Sequence, residues 1–265
     1  MESEKWICTG SNDSKICIYN EGSTTPYVIL EGHDECVCTI YKGLQPKSII
    51  SGSWDKTAKV WSVDNGTYTS ISLDGHEAAV WAVVSMPTQN YVTGSADKNI
   101  FVWNAKGDKV RVLKGHTDCV RGLICMGNGS LISCGNDAVI RYWNNEGECV
   151  KEIHGHTNYI YCISSNILLG DDVFVSGGED STICMWSVQS GILGDPITLP
   201  AQSIWTVACL SNGDIVTGSS DGVLRIFTKD PARIAAPEVI KEFSLAVETR
   251  IMEKSSTLGG IKKNE

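Results

Sequence analysis

The sequence predicts an all-β chain folded as a β-propeller, a ring of four-stranded sheets, and three recurring features carry that prediction. A Gly-His pair recurs at Gly32-His33, Gly75-His76, Gly115-His116 and Gly155-His156. An aspartate follows each pair, at Asp55, Asp97, Asp137 and Asp180. A tryptophan stands six residues after each aspartate, at Trp61, Trp103, Trp143 and Trp186. Self-similarity at a period of about 40 residues means that each unit is one blade, and stacked neighbours bury the faces that a single blade leaves open.

One full unit shows how the elements follow. Ala78–Val84 reads as the inner strand, Tyr91–Gly94 as the second, Asn99–Trp103 as the third and Lys109–Leu113 as the outer strand. These runs are short, β-branched and separated by turn-forming residues such as Ser95-Ala96-Asp97-Lys98-Asn99. The first unit starts inside a blade, with Lys5–Gly10 and Lys15–Tyr19 as its second and third strands around Asp13. The last has Pro200-Ala201-Gln202 where Gly-His is expected, keeps Asp221 at the turn and carries Phe227 in place of the tryptophan. Four complete and two partial units give about five and a half blades, expected to be part of a seven-bladed parent truncated at both ends. The propeller is expected over residues 1–228, and 229–265 is read as a linker, a short helix and a disordered tail. Val239, Phe243, Val247 and Ile251 fall at the four-residue spacing of an amphipathic helix over 238–253.

The repeated polar residues resemble the hydrogen-bond set of WD repeats. In that family the histidine bridges the turn aspartate to a strand hydroxyl, and the tryptophan indole completes the chain. The sets are His33/Ser51/Asp55/Trp61, His76/Thr93/Asp97/Trp103, His116/Ser133/Asp137/Trp143 and His156/Ser176/Asp180/Trp186. Serine, histidine and aspartate repeated at one period are architecture, not a hydrolytic triad: a network that satisfies buried polar groups fixes one blade geometry.

Composition narrows the partner classes. With 22 basic and 31 acidic residues the net charge is −9, so no nucleic-acid partner is expected. No apolar run approaches the ~20 residues of a membrane helix, and Met1–Lys5 opens no apolar signal segment. The chain is therefore expected to be soluble, in cytoplasm and nucleus, without membrane insertion. Its 11 cysteines contain no CxxC pair, so neither a metal site nor a cofactor is expected, and the thiols are read as reduced. Without a nucleophile elbow or a phosphate loop, the chain is not expected to be an enzyme.

Several stretches go beyond the generic repeat. They are Ser51–Trp61, Ala78–Val83, Asp118–Leu123, Gly155–Tyr161 and the Gly-His-lacking Leu199–Trp205. Together they resemble the phospholipase A-2-activating protein family, whose yeast counterpart is a ubiquitin-fusion-degradation factor. The likeness covers about residues 1–228 and, more loosely, 238–243. It implies a seven-bladed amino-terminal propeller that binds ubiquitin, followed by a second ubiquitin-binding domain. A carboxyl-terminal helical-repeat domain in that family docks on the valosin-containing AAA ATPase. These residues are expected to stop short of that last domain, so ATPase docking is not expected to transfer to them.

A partner is expected on the face where inner strands begin. The residue five after each histidine reads Cys38, Trp81, Arg121, Tyr161 and, by alignment, Trp205. The residue before each turn aspartate reads Asn12, Trp54, Ala96, Asn136, Glu179 and Ser220. With Tyr159, the aromatics Trp54, Trp81, Tyr161 and Trp205, together with Arg121 and Glu179, form the candidate ubiquitin-binding face. Trp, Tyr and Arg are the residues enriched at interface hot spots. Inner-strand aromatics also pack between blades, which keeps a structural role open for Trp81 and Trp205. A general WD-repeat scaffold and a phospholipase activator are the competing functions.

Overall fold

The computed structural model describes residues 5–165, 170–243 and 245–246, and its strands form six antiparallel sheets arranged as a propeller. The first sheet has three strands, β1 (Trp6–Gly10), β2 (Ile16–Asn20) and β3 (Val28–Leu30). The second runs from inner to outer strand as β4 (Val37–Lys42), β5 (Ser48–Ser53), β6 (Ala58–Asp64) and β7 (Thr67–Leu73). The third follows as β8 (Val80–Met86), β9 (Asn90–Ser95), β10 (Ile100–Asn104) and β11 (Lys109–Leu113). The fourth comprises β12 (Val120–Cys125), β13 (Leu131–Gly135), β14 (Ile140–Trp143) and β15 (Cys149–Ile153). In the fifth, β16 (Ile160–Ser165), β17 (Val173–Gly178) and β18 (Thr182–Ser187) carry an outer strand split into β19 (Gly191–Ile192) and β20 (Ile197–Thr198). The sixth has β21 (Ile204–Cys209), β22 (Ile215–Ser219) and β23 (Leu224–Phe227). Inner strands β4, β8, β12, β16 and β21 pack side by side along a channel of about 430 Å³.

The expected count of five and a half blades thus becomes six sheets, with three strands in the first and in the last. The first sheet lacks only its inner strand, as expected, and β3 is its outer strand. The sixth sheet acquires no fourth strand among the described residues, and β23 is its last strand there. Within 229–237, a 3₁₀ turn over Pro231–Arg233 is capped by the Asp230 side chain, which accepts from the Ala232 amide. Residues 237–243 are helical and start at Pro237, where a missing amide proton costs nothing. Val239 and Phe243 on this helix are exposed. Val247, Ile251 and the tail 254–265 lie outside the described residues.

The apolar core lies between consecutive sheets. Ile16, Ile18 and Leu30 of the first sheet pack with Val37, Ile49 and Trp61 of the second. Val84, Val92 and Ile100 of the third pack with Val120, Leu131 and Trp143 of the fourth. This approach requires a small residue in each second strand. A Cβ on Gly94 would lie 2.7 Å from Val120 Cγ1, and one on Gly177 would lie 2.6 Å from Ile204 Cγ2. The fourth sheet solves the same constraint the other way round. Its second strand carries Cys134, and the glycine moves to the facing position of the inner strand, Gly122. A Cβ there would meet Cys134 Sγ at 2.7 Å and Ile163 Cγ2 at 2.8 Å.

Overpacking this site makes a checkable difference. Gly122→Ala is expected to cost about 1–3 kcal/mol in urea denaturation. Adding Cys134→Gly should recover part of that loss, because only the Ile163 contact remains. A double-mutant cycle with no coupling would contradict the exchange of small residue across the pair.

Candidate functional site

Buried hydroxyls organise each complete blade. In the third sheet His76 Nδ1 lies 2.7 Å from Asp97 Oδ2, and Nε2 lies 2.7 Å from Thr93 Oγ1. Trp103 Nε1 donates to the same hydroxyl at 2.9 Å. The order of donors follows from chemistry. The indole can only donate, so the threonine oxygen accepts from it and donates its proton to His Nε2, leaving Nδ1–H to serve the carboxylate. The second sheet repeats this, with His33 2.7 Å from Asp55 and 2.8 Å from Ser51, and Trp61 2.8 Å from Ser51. In the fourth, His116 lies 2.9 Å from Asp137 and 2.7 Å from Ser133, which accepts from Trp143 at 2.8 Å. In the fifth, His156 lies 2.8 Å from Asp180 and 2.7 Å from Ser176, and Trp186 reaches Ser176 at 2.7 Å. All four hydroxyl residues are fully buried, with their oxygens already committed, so none is placed to attack a substrate.

The turn aspartates also accept backbone amides, from Asp34, Glu77, Thr117 and Thr157. Burial pushes the Asp97 carboxyl up, but His76 and the amides of Glu77 and Asn99 outweigh it and hold it at about 2. Asp180 is likewise held at about 2, where His156 and Thr182 overcome burial. In the fourth sheet Arg141 joins the set, donating to Asp137 at 2.7 Å and lying 2.9 Å from the His116 ring.

The sixth sheet lacks the histidine and the tryptophan, and the consequence is visible. Thr217 occupies the hydroxyl position, fully buried, and among the described residues its oxygen has no hydrogen-bond partner. The turn aspartate Asp221 is held instead by Arg225, whose Nη2 donates at 2.6 Å.

The candidate face owes its geometry to a repeated backbone irregularity. Pairing between inner and second strands shifts register between Val37 and Thr39, Val80 and Ala82, Val120 and Gly122, Ile160 and Cys162, and Ile204 and Thr206. The skipped residues are Cys38, Trp81, Arg121, Tyr161 and Trp205. Each is the extra residue of a β-bulge, released from the ladder so that its side chain is re-aimed, here to line the channel. The residue before each turn aspartate is tied to the start of the same inner strand. Trp54, Ala96, Asn136, Glu179 and Ser220 each donate a backbone amide to it at 2.8–3.0 Å.

Six of the seven predicted side chains form one continuous ladder. Trp54 lies 5.8 Å from Trp81 between ring centroids. The Arg121 guanidinium sits 4.1 Å over Trp81 and 5.4 Å from Tyr161. Tyr161 stacks on Trp205 at 4.8 Å and meets Tyr159 edge-on at 6.4 Å. Trp205 is 54% exposed, Trp54 45% and Tyr159 42%, while Trp81, Arg121 and Tyr161 are half-buried beneath them. Trp205 and Trp54 therefore present apolar surface outward, and Trp81 divides its area between neighbours and channel.

Glu179, the seventh, is a supporting residue. It accepts from Ser203 Oγ at 2.6 Å across the gap to the sixth sheet. Burial and the neighbouring Glu179 carboxylate together push the Tyr161 hydroxyl up to about 12. Cys38 turns its thiol onto the Val80 carbonyl at 3.0 Å, and burial raises it to about 12, so the aromatic arc stops at the second sheet. Sequence reasoning missed Ser203 because its bond crosses between sheets at a position where the histidine pattern is lost. Among the described residues, no cluster of His, Cys, Asp or Glu could hold a metal ion, and no helix is long and apolar enough to cross a membrane.

The family model "WD domain, G-beta repeat" matches residues 24–62, 67–104, 107–144, 147–187 and 196–228. The chain belongs to the WD40-repeat family. Each matched WD40 unit is offset from the sheets: 24–62 contains β3 of the first sheet with β4, β5 and β6 of the second. The chain is 44% identical, over 97% of its length, to the phospholipase A-2-activating protein of Xenopus laevis. It is 40% identical over 98% to the ubiquitin homeostasis protein lub1 of Schizosaccharomyces pombe. It is 30% identical over 95% to the ubiquitin fusion degradation protein 3 homolog of Caenorhabditis elegans. The chain spans 31%, 35% and 31% of the length of these relatives. Among solved structures, the WD40 β-propeller domain of Doa1 superposes with a TM-score of 0.78 at 38% identity, covering 87% of this chain and 77% of that one.

Two outcomes check the hydroxyl network. Thr93→Val strands both the His76 ring and the Trp103 indole, and is expected to cost about 3 kcal/mol in chemical denaturation. Thr217→Val removes an oxygen with no partner and should be neutral or stabilising by about 1 kcal/mol. The pH dependence follows from the depressed carboxyls, since such groups stabilise fully above their unfolded pKa of ~3.9 and lose this as pH falls through the folded value. The urea midpoint should therefore drop steeply between about pH 4 and pH 2. Asp97→Asn should lower it at neutral pH and make that drop shallower.

Proposed function

We propose that the aromatic face binds ubiquitin and that the chain is the recognition module of an adaptor in ubiquitin-dependent protein degradation and ubiquitin homeostasis. The observation that carries this reading is the ladder from Trp54 through Trp81, Arg121 and Tyr161 to Trp205, five side chains from five consecutive sheets in mutual contact. A generic blade has no use for aromatics at these bulges, because its own hydrogen-bond set is complete without them. Large rigid rings around a half-buried arginine suit a compact apolar patch with a basic rim, which is the common recognition surface of ubiquitin. Glu35, Glu77 and Asp118 precede the inner strands, and a chain of net charge −9 attracts such a rim, favouring encounter rate more than affinity.

The relatives support the same reading, since two of them are named for ubiquitin homeostasis and ubiquitin fusion degradation. Action is by binding, without catalysis, in cytoplasm and nucleus. Recruitment of the valosin-containing AAA ATPase, implied only by the family resemblance through a carboxyl-terminal domain, is not assigned to these residues.

The decisive experiment is an NMR titration of isotope-labelled ubiquitin with the purified chain. Saturable shifts confined to the hydrophobic patch of ubiquitin are expected. Their absence, from a chain that melts cooperatively, would favour a scaffold for another partner. Trp54→Ala should weaken binding by ~2 kcal/mol or more, roughly thirtyfold. Its melting temperature should stay close to that of the parent, since the ring is on a turn and half exposed.

A further inference from the structure

Apolar contact accounts for every member of the ladder except Arg121. Its Nε donates to Asn136 Oδ1 at 3.0 Å, and Asn136 is itself fixed by its backbone amide on the Cys119 carbonyl at 2.9 Å. The rings of Trp81 and Tyr161 hold the guanidinium in place. Among the described residues, its Nη1 and Nη2 have no hydrogen-bond or ion-pair partner.

This sets Arg121 apart from the other described arginines. Arg141 pairs with Asp137 and Glu152, Arg225 with Asp221 and Arg233 with Asp214. Arg111 donates from Nη1 to the Asn145 carbonyl. Acidic residues outnumber basic ones, yet among the described residues no carboxylate forms an ion pair with Arg121. Glu179, close by on the far side of Tyr161, is engaged by Ser203. A guanidinium that is oriented, partly desolvated and free at its two terminal nitrogens presents a planar fork matched to a carboxylate.

We propose that Arg121 is a receptor for a terminal carboxylate, bound at the mouth of the central channel, and that it takes the free carboxyl terminus of ubiquitin. The second clause rests on the ubiquitin reading above. Arg121 is half-buried between rings and lines a channel of about 430 Å³ walled by the inner strands. An extended chain end enters between the rings more readily than a carboxylate side chain on a convex surface. The acidic residues of this face suit a tail that carries basic residues a few positions before its terminal carboxylate.

The test uses the last six residues of ubiquitin as two synthetic peptides, one with a free carboxylate and one with a carboxamide, each titrated into the full chain. The Trp81 indole and Arg121 Nε–H resonances report binding. The carboxylate peptide is expected to bind at least tenfold more tightly. Arg121→Gln should abolish that preference and Arg121→Lys should reduce it, both with cooperative melts. Trp54→Ala should keep the preference while weakening intact ubiquitin. Equal binding of the two peptides, or a preference that survives Arg121→Gln, overturns the proposal. Intact ubiquitin and its carboxamide form are then compared. A tenfold difference supports the full proposal, and equal binding removes ubiquitin's terminus as the ligand. Should intact ubiquitin not bind while the peptides still discriminate, the ubiquitin reading fails and a receptor for other carboxyl termini stands.

Discussion

A single buried oxygen in each of the four complete blades, the strand hydroxyl shared by a histidine and a tryptophan, is the interaction on which the rest of the molecule depends. It lies on the second strand, its indole partner on the third, and its histidine just ahead of the inner strand, so one atom fixes the mutual positions of three strands. The histidine passes that constraint on to the turn aspartate, and the aspartate holds the loop from which Trp54, Asn136 and Glu179 project. The indole can only donate and the ionised carboxylate can only accept, so the two ends of the chain constrain the bonds that the hydroxyl and imidazole make between them. Precise placement of the face is thus inherited from groups that never touch a ligand.

The sixth sheet shows what happens when this arrangement is incomplete. Arg225 replaces the histidine as the partner of Asp221, but nothing replaces it at Thr217. The sheet nevertheless contributes Trp205, whose stacking on Tyr161 joins it to the fifth. Packing of Ile204 over Gly177 and the Ser203–Glu179 bond add to that junction. Contacts across the boundary between sheets therefore compensate for a weaker interior.

Legibility in the sequence follows the range of the interaction concerned. The four-residue hydrogen-bond sets were legible through their resemblance to WD repeats, whereas the addition of Arg141 to the fourth was not. Inner-strand contact positions could be read too, because a bulge at a constant distance from the histidine re-aims one residue per sheet. Strand limits in the third sheet were within two residues of those observed. What could not be read were the contacts between sheets. Cys38 turning to Val80, Ser203 binding Glu179 and the exchange of Cys134 for Gly122 all pair residues whose proximity arises only once blades are stacked. The residues of outer strand β3 are weakly marked for a related reason: Val28–Leu30 is only three residues long and gains its stability from the sheet it joins.

The offset between WD40 unit and sheet carries a mechanical consequence. A unit that takes its outer strand from one blade and the other three from the next behaves as a strap across the boundary, so covalent chain and hydrogen-bonded ladder reinforce one another at every junction. Blades linked in this way cannot slide or hinge independently, and a load applied to one is shared by its neighbours. Rigidity of the array is then a property of its connectivity as much as of its core, and a recognition surface spread over five sheets can move as one body.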